Sequence, residues 1–101
     1  MLFRRKKTFD DYVDEAYEKN IVLLDVRSSE EFKAGHIKNS KNIPLDRIET
    51  IDLKKDQKLY VYCHSGARSS AALLQLAKMG YREVINIGGI YKSKRTLQEE
   101  G

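Results

Sequence analysis

The sequence predicts an α/β fold with a central parallel sheet carrying helices on both faces. Four short candidate strands, near residues 21, 41, 60 and 85, are separated by stretches of helical periodicity. One of them, Ile21 to Val26, is nearly continuous apolar sequence, as expected of a strand covered on both sides. No internal repeat or low-complexity segment breaks the alternation, so right-handed crossovers between parallel strands are the expected topology. A chain of 101 residues suffices for one modest core. Residues 1–7 read as a basic N-terminal tail and 8–101 as a single domain.

The elements follow in order. Thr8-Phe-Asp-Asp11 has the pattern of a capping box, and Phe9, Tyr12, Val13, Ala16 and Tyr17 form an apolar stripe, which together predict a helix from Phe9 to Lys19. Asp10, Asp11, Asp14 and Glu15 suit its positive end and read as a solvated face. Ile21 to Val26 is the first strand. Asp25 and Arg27 lie at its carboxyl end, either where open α/β sheets place ligand crevices or as an ion pair that fixes the strand end. Ser28-Ser-Glu-Glu31 is a second capping box, opening a short helix that Gly35 ends. His36 then reads as a hydrogen-bonding structural residue. Lys41 to Pro44 is extended, because the residue before proline avoids the helical region, and is read as the sheet's third strand. Leu45 to Ile51 gives a short helical stretch before the polar turn Lys54 to Lys58.

The chain is organised around Leu59 to Met79. Leu59 to Tyr62 is β-branched and aromatic, Cys63 is the only cysteine, and Ala71, Ala72, Leu74, Leu76, Ala77 and Met79 recur at helical spacing up to Gly80, a left-handed cap. A thiol therefore stands at a strand-to-helix junction. The amides of His64 to Ser69 lack intrahelical partners and can converge on the loop centre, with Gly66 free to take a positive φ. An ordinary thiol is about 3 % thiolate at neutral pH, and lowering its pKa by about two units needs only about 2.7 kcal/mol. Amide donors, the helix dipole and the Arg68 guanidinium are the expected sources. Val84 to Ile87 makes the last strand, and Gly88-Gly89 lets backbone approach the neighbouring loop.

Cys63-His-Ser-Gly-Ala-Arg68-Ser69 resembles the six-residue active-site loop of single-domain rhodanese-like sulfurtransferases. Asp25-Val-Arg27, Glu31-Phe32-Lys33-Ala34-Gly35-His36-Ile37, Asn42-Ile43-Pro44 and Gly88-Gly89-Ile90 resemble that family's other signatures in the same order, so the likeness spans nearly the whole chain. It implies a rhodanese-like three-layer fold and an enzyme that moves a sulfane sulfur from a donor such as thiosulfate to cyanide or a thiol through a Cys63 persulfide. His64, Ser65, Gly66, Ala67, Arg68 and Ser69 would cradle substrate and persulfide, with Asp25 and Arg27 in support. The chain departs from the family at Lys38-Asn39-Ser40, and at Ser93, where relatives carry tryptophan. Tyr91 is expected to cover part of the lost surface, ahead of a brief, charged C-terminal helix. His64 stands where some thiosulfate-using relatives have arginine.

Composition bounds the alternatives. The charge of +4 is concentrated in Arg4, Arg5, Lys6 and Lys7, leaving the rest nearly balanced, so the terminal charges read as a solvated tail rather than a nucleic-acid site. Met1-Leu2-Phe3 offers no apolar core for a signal peptide, and no run has the length of an integral membrane segment, so a cytoplasmic location is expected. A single cysteine makes neither an intramolecular disulfide nor a cysteine-rich metal site. No metal or cofactor is expected. The expected partners are a small anionic sulfur donor and a low-molecular-weight or protein thiol acceptor. A redox-sensing or sulfur-carrier module without turnover is the alternative. A cysteine-dependent phosphatase or arsenate reductase is a further one, but those loops carry five residues between cysteine and arginine, not four.

Overall fold

A computed structural model of the chain describes residues 6–100, so the expectations for Met1-Leu2-Phe3, Arg4 and Arg5 lie outside the described residues. The strands are β1 (Val22–Asp25), β2 (Lys41–Asn42), β3 (Lys58–Cys63) and β4 (Glu83–Gly89). They form one four-stranded sheet in the order β2-β1-β3-β4, with every pairing parallel. The Lys41 segment is therefore second in the chain and lies at a sheet edge, rather than being the third strand. Its Lys41 pairs with Leu24, and Asn42 donates to the carbonyls of Asp25 and Arg27, both at 3.0 Å.

Strand alternation sorts the core into two layers. Leu23, Tyr60, Tyr62 and Ile87 face the helix α1 (Phe9–Lys19), which buries Phe9, Val13 and Ala16 against them. Phe9 meets Tyr62 edge to face at 5.5 Å, and Tyr12 meets Tyr60 in the same way at 5.3 Å. Leu24, Leu59, Val61 and Cys63 point to the opposite face, where α3 (Ala67–Lys78) buries Ala72 and Leu76. The capping box of Thr8 and Asp11 opens α1 at the residue the sequence predicts. Gly80, with φ of 99°, follows the end of α3 as a left-handed glycine. Leu45–Thr50 is a 3-10 helix interrupted at Arg47, and it lays Ile48 on the α3 layer.

Two features differ from expectation. Helix α3 begins at Ala67, so Arg68 and Ser69 stand on its first turn rather than in a free loop. The expected C-terminal helix is only a 3-10 turn at Ile90–Lys92, after which the chain runs back along α1 and toward α2 (Ser29–Ala34). Backbone partners waiting on those helices, and few apolar residues with which to bury a helical face, account for this. Ser93 Oγ donates to Asp10 at 2.7 Å, and His36 and Gln98 exchange two backbone hydrogen bonds at 2.9 and 2.8 Å.

Strand β4 carries a bulge. Val61 pairs with Asn86 but Tyr62 with Gly88, leaving Ile87 as the extra residue, and Gly88 takes φ of 102°. Beyond the bulge, a Cβ on Gly89 would lie 2.2 Å from the His64 carbonyl oxygen and 2.7 Å from the Ser65 Cα. The backbone approach expected of the glycine pair is thus realised at Gly89. Both obstacles are backbone, so Gly89→Ala is expected to destabilise the fold by about 3 kcal/mol. Urea denaturation checks this, and an unchanged midpoint would show that the loop yields freely.

Candidate active site

Cys63 is the last residue of β3 and is only 1 % exposed. Alternation turns its side chain toward α3, and the turn through Gly66, at φ of 104°, brings the helix N-terminus back over the sulfur. The Gly66 amide donates to Sγ at 3.0 Å and the Ser69 amide at 3.4 Å, with Ser69 Oγ also 3.4 Å away. Burial pushes the thiol pKa up, but the Ser69 hydroxyl and the amides of Ser69, Gly66 and Ser65 more than offset it and hold the thiol below its ordinary value. Of the amides from His64 to Ser69, those of Gly66 and Ser69 point at the sulfur. His64, Ser65 and Ala67 are exposed, and the His64 ring lies 5.8 Å from that of Tyr91.

Arg68 is engaged elsewhere. Its two terminal nitrogens donate to the Glu31 carboxylate at 2.7 and 3.0 Å, a bidentate pair joining the first turn of α3 to the first turn of α2. Glu31 also accepts from the Ser28 amide at 3.2 Å, as the capping box requires. Asp25 and Arg27 form a buried pair, with Arg27 Nη2 2.7 Å from Asp25 Oδ2 and 2.8 Å from the Gly35 carbonyl. Of the two readings of Asp25, the ion pair at the strand end is the one observed. His36 stacks on Phe32 at 3.6 Å and its Nδ1 lies 2.7 Å from the Phe32 carbonyl, in keeping with a structural role.

Two further residues escape the sequence reading. Asn86 on β4 bonds Ser69, Gly66 and Gly88. The available signal was a polar residue within an apolar strand run, the same signal that drew attention to Asp25. Lys92 shares with Lys6, Lys7, Tyr12, Ser65 and Gly66 the wall of an open cleft of about 840 Å³ beside the cysteine loop. Lys7 is not merely solvated, because it pairs with Glu15 at 2.8 Å. Among the described residues no cluster of three or more His, Cys, Asp or Glu side chains is placed to hold a metal, and no helix is long and apolar enough to cross a membrane.

A thiol at the carboxyl end of a central parallel strand, wrapped by the amides of a following helix, is the arrangement of a rhodanese-type site. The rhodanese-like domain model matches residues 8–95, and the chain belongs to that family. It is 38 % identical over 71 residues to the thiosulfate sulfurtransferase PspE of Escherichia coli, covering 66 % of this chain and 68 % of that one. It is 36 % identical over 72 residues to the putative sulfur carrier protein YrkF of Bacillus subtilis, covering 69 % of this chain but only 39 % of that protein. A rhodanese-like domain protein from Staphylococcus aureus superposes with a TM-score of 0.82 at 28 % identity, over 97 % of this chain and all of the other.

The Arg68 contact holds the Glu31 carboxyl down to about 2, against partial burial, with help from Ser28. A carboxylate depressed in the folded state stabilises it above the unfolded value near 4.5, and that contribution is lost as pH falls through the folded value near 2. The stability difference between the parent and Glu31→Gln is therefore expected to be constant above pH 5 and to shrink between pH 4.5 and 2. Denaturant titrations across that range measure it. A difference that does not change with pH would show that the pair contributes nothing.

Proposed function

We propose that this protein is a sulfurtransferase whose nucleophile is Cys63. The observation that carries the reading is the pair of amide donors on the sulfur, from Gly66 and Ser69, with the Ser69 hydroxyl beside them, within a family whose members include a thiosulfate sulfurtransferase. The Cys63 thiolate attacks the sulfane sulfur of a donor such as thiosulfate, the S–S bond of the donor breaks, and sulfite leaves with the electron pair. The product is a Cys63 persulfide anion. Attack on its outer sulfur by cyanide or a thiolate then forms thiocyanate or a new persulfide and returns the Cys63 thiolate. Amide donors fixed in advance stabilise the anion in both halves without reorganising. His64, Ser65, Gly66, Ala67, Arg68 and Ser69 form the cradle, with the Asp25–Arg27 pair fixing the neighbouring strand end. Residues 8–101 form the catalytic domain after the tail 1–7, and the reducing cytoplasm supplies thiol acceptors.

The lysines of the adjoining cleft favour an anionic donor. Arg68 contributes less to that attraction than its charge alone suggests, since Glu31 neutralises it. Glu31→Gln is expected to lower the KM for thiosulfate about threefold while leaving that for a neutral persulfide donor within experimental error. Equal changes for both donors would show that Glu31 acts only by holding α2.

The likeness to a putative sulfur carrier favours one second reading, a module that accepts sulfur and hands it on without turnover. Two measurements separate these readings. Intact mass after exposure to thiosulfate is expected to show one added sulfur, absent in Cys63→Ser. Repeated thiocyanate formation with cyanide supports the enzyme, whereas loading without turnover supports the carrier. Failure to load, or loading of Cys63→Ser, overturns both. Rapid hydrolysis of an aryl phosphate would instead point to oxyanion chemistry.

A further inference from the structure

The side-chain amide of Asn86 can be oriented from its partners. The Gly88 N–H, a donor, lies 2.9 Å from Oδ1, while the Gly66 carbonyl, an acceptor, lies 3.0 Å from Nδ2. With the oxygen so placed, the contact of 2.8 Å between Asn86 Oδ1 and Ser69 Oγ holds only if the serine is the donor. A hydroxyl has a single hydrogen. Ser69 Oγ has two other acceptors in reach, the Gly66 carbonyl at 3.1 Å and Cys63 Sγ at 3.4 Å, and Asn86 is the nearest of the three. While the hydrogen points at Asn86, the serine offers Cys63 only a lone pair. That arrangement suits a thiol, whose S–H can donate to it, and opposes a thiolate.

We propose that Asn86 is a positioning residue that controls the ionisation of Cys63 by competing with the sulfur for the Ser69 hydroxyl hydrogen. When Cys63 loses its proton to solvent base, the Ser69 O–H swings from Asn86 Oδ1 to Sγ, and Asn86 keeps the Gly88 N–H as its partner. Ser69 is fully buried on the first turn of α3, so the hydroxyl itself is out of reach of water. The β4 bulge belongs to the device, because Asn86 Oδ1 is held by the amide of the left-handed Gly88 that follows the extra residue. The other titratable and charged groups around the thiol are Arg68 with Glu31, the Asp25–Arg27 pair, His64 of the loop, and Lys6, Lys7 and Lys92 on the wall of the cleft that Asn86 also lines. Both ion pairs are closed, and among the described residues no hydrogen bond or ion pair joins any of these groups to Asn86. The inference rests on Cys63 as the nucleophile of the proposed reaction, but its test reads thiol ionisation alone and stands or falls whether or not sulfur is transferred.

Thiolate absorbance near 240 nm, followed against pH, gives the Cys63 midpoint in the parent, Asn86→Ala, Ser69→Ala and the double variant. Asn86→Ala frees the hydroxyl for the sulfur, and the Gly66 carbonyl retains the Ser70 N–H at 3.1 Å. Its midpoint is expected to fall by about one unit, or about tenfold more thiolate at a pH below both midpoints. In the Ser69→Ala background the same substitution is expected to shift the midpoint little. A rise on Asn86→Ala, or equal shifts in both backgrounds, overturns the proposal. Should Asn86→Ala not fold, the parent supplies the answer through its ¹⁵N spectrum. The Asn86 side-chain amide signals are expected to titrate with the Cys63 midpoint, and to stop doing so in Ser69→Ala while Cys63 still ionises. Signals that ignore the thiol, or that follow it equally without the Ser69 hydroxyl, overturn it as well.

Discussion

The Cys63–Ser69 loop folds tightly against the sheet because β4 passes it without a side chain at Gly89, where a Cβ would lie 2.2 Å from the His64 carbonyl oxygen. That close passage fixes the distance between the loop and β4, and with it the reach of Asn86 to Ser69 and Gly66. The bulge at Ile87 and the left-handed Gly88 belong to the same constraint, since they steer β4 past the loop while its earlier residues remain paired with β3. The sulfur therefore owes its surroundings to backbone geometry on a neighbouring strand as much as to its own loop.

The electrostatics follow the same pattern. The cation that the spacing from Cys63 places near the sulfur is bound to Glu31, and the buried Arg27 is bound to Asp25. The groups within hydrogen-bond reach of the sulfur are neutral dipoles, the amides of Gly66 and Ser69 and the Ser69 hydroxyl. Fixed dipoles of this kind lower the cost of charge without attracting a permanent counter-ion. The two closed ion pairs tie α2 to its neighbours, Arg68 to α3 and Arg27 to the end of β1 through the Gly35 carbonyl.

Local signals made most of the fold legible. The Thr8 and Ser28 capping boxes and Gly80 mark helix ends through contacts a few residues apart, and the apolar runs at Val22, Leu59 and Val84 mark strands through composition. Cys63, Gly66 and Ser69 were legible because a strand, a small-residue turn and a helix follow one another in sequence. What escaped depends on distant partners. No local pattern states that Arg68 will meet Glu31, or that Asn86 will cross to Ser69. The C-terminal segment misled for a related reason: its charges were compatible with a helix, but Asp10 and His36, far away in sequence, provide better partners for its backbone.

The bridge between His36 and Gln98 reaches into the order in which the molecule assembles. Glu100 also donates its amide to the Lys33 carbonyl, so the last described residues fasten the end of α2, whose Glu31 binds Arg68 of α3. Such contacts join segments far apart in sequence and form late, after the local helices and the central strand pairs. The strand end and the amides that follow it need only nearby chain to take shape. The Glu31 side, carried by α2, is fastened only when the segment around Gln98 and Glu100 has come back to it, so the two sides of one small site mature on different clocks.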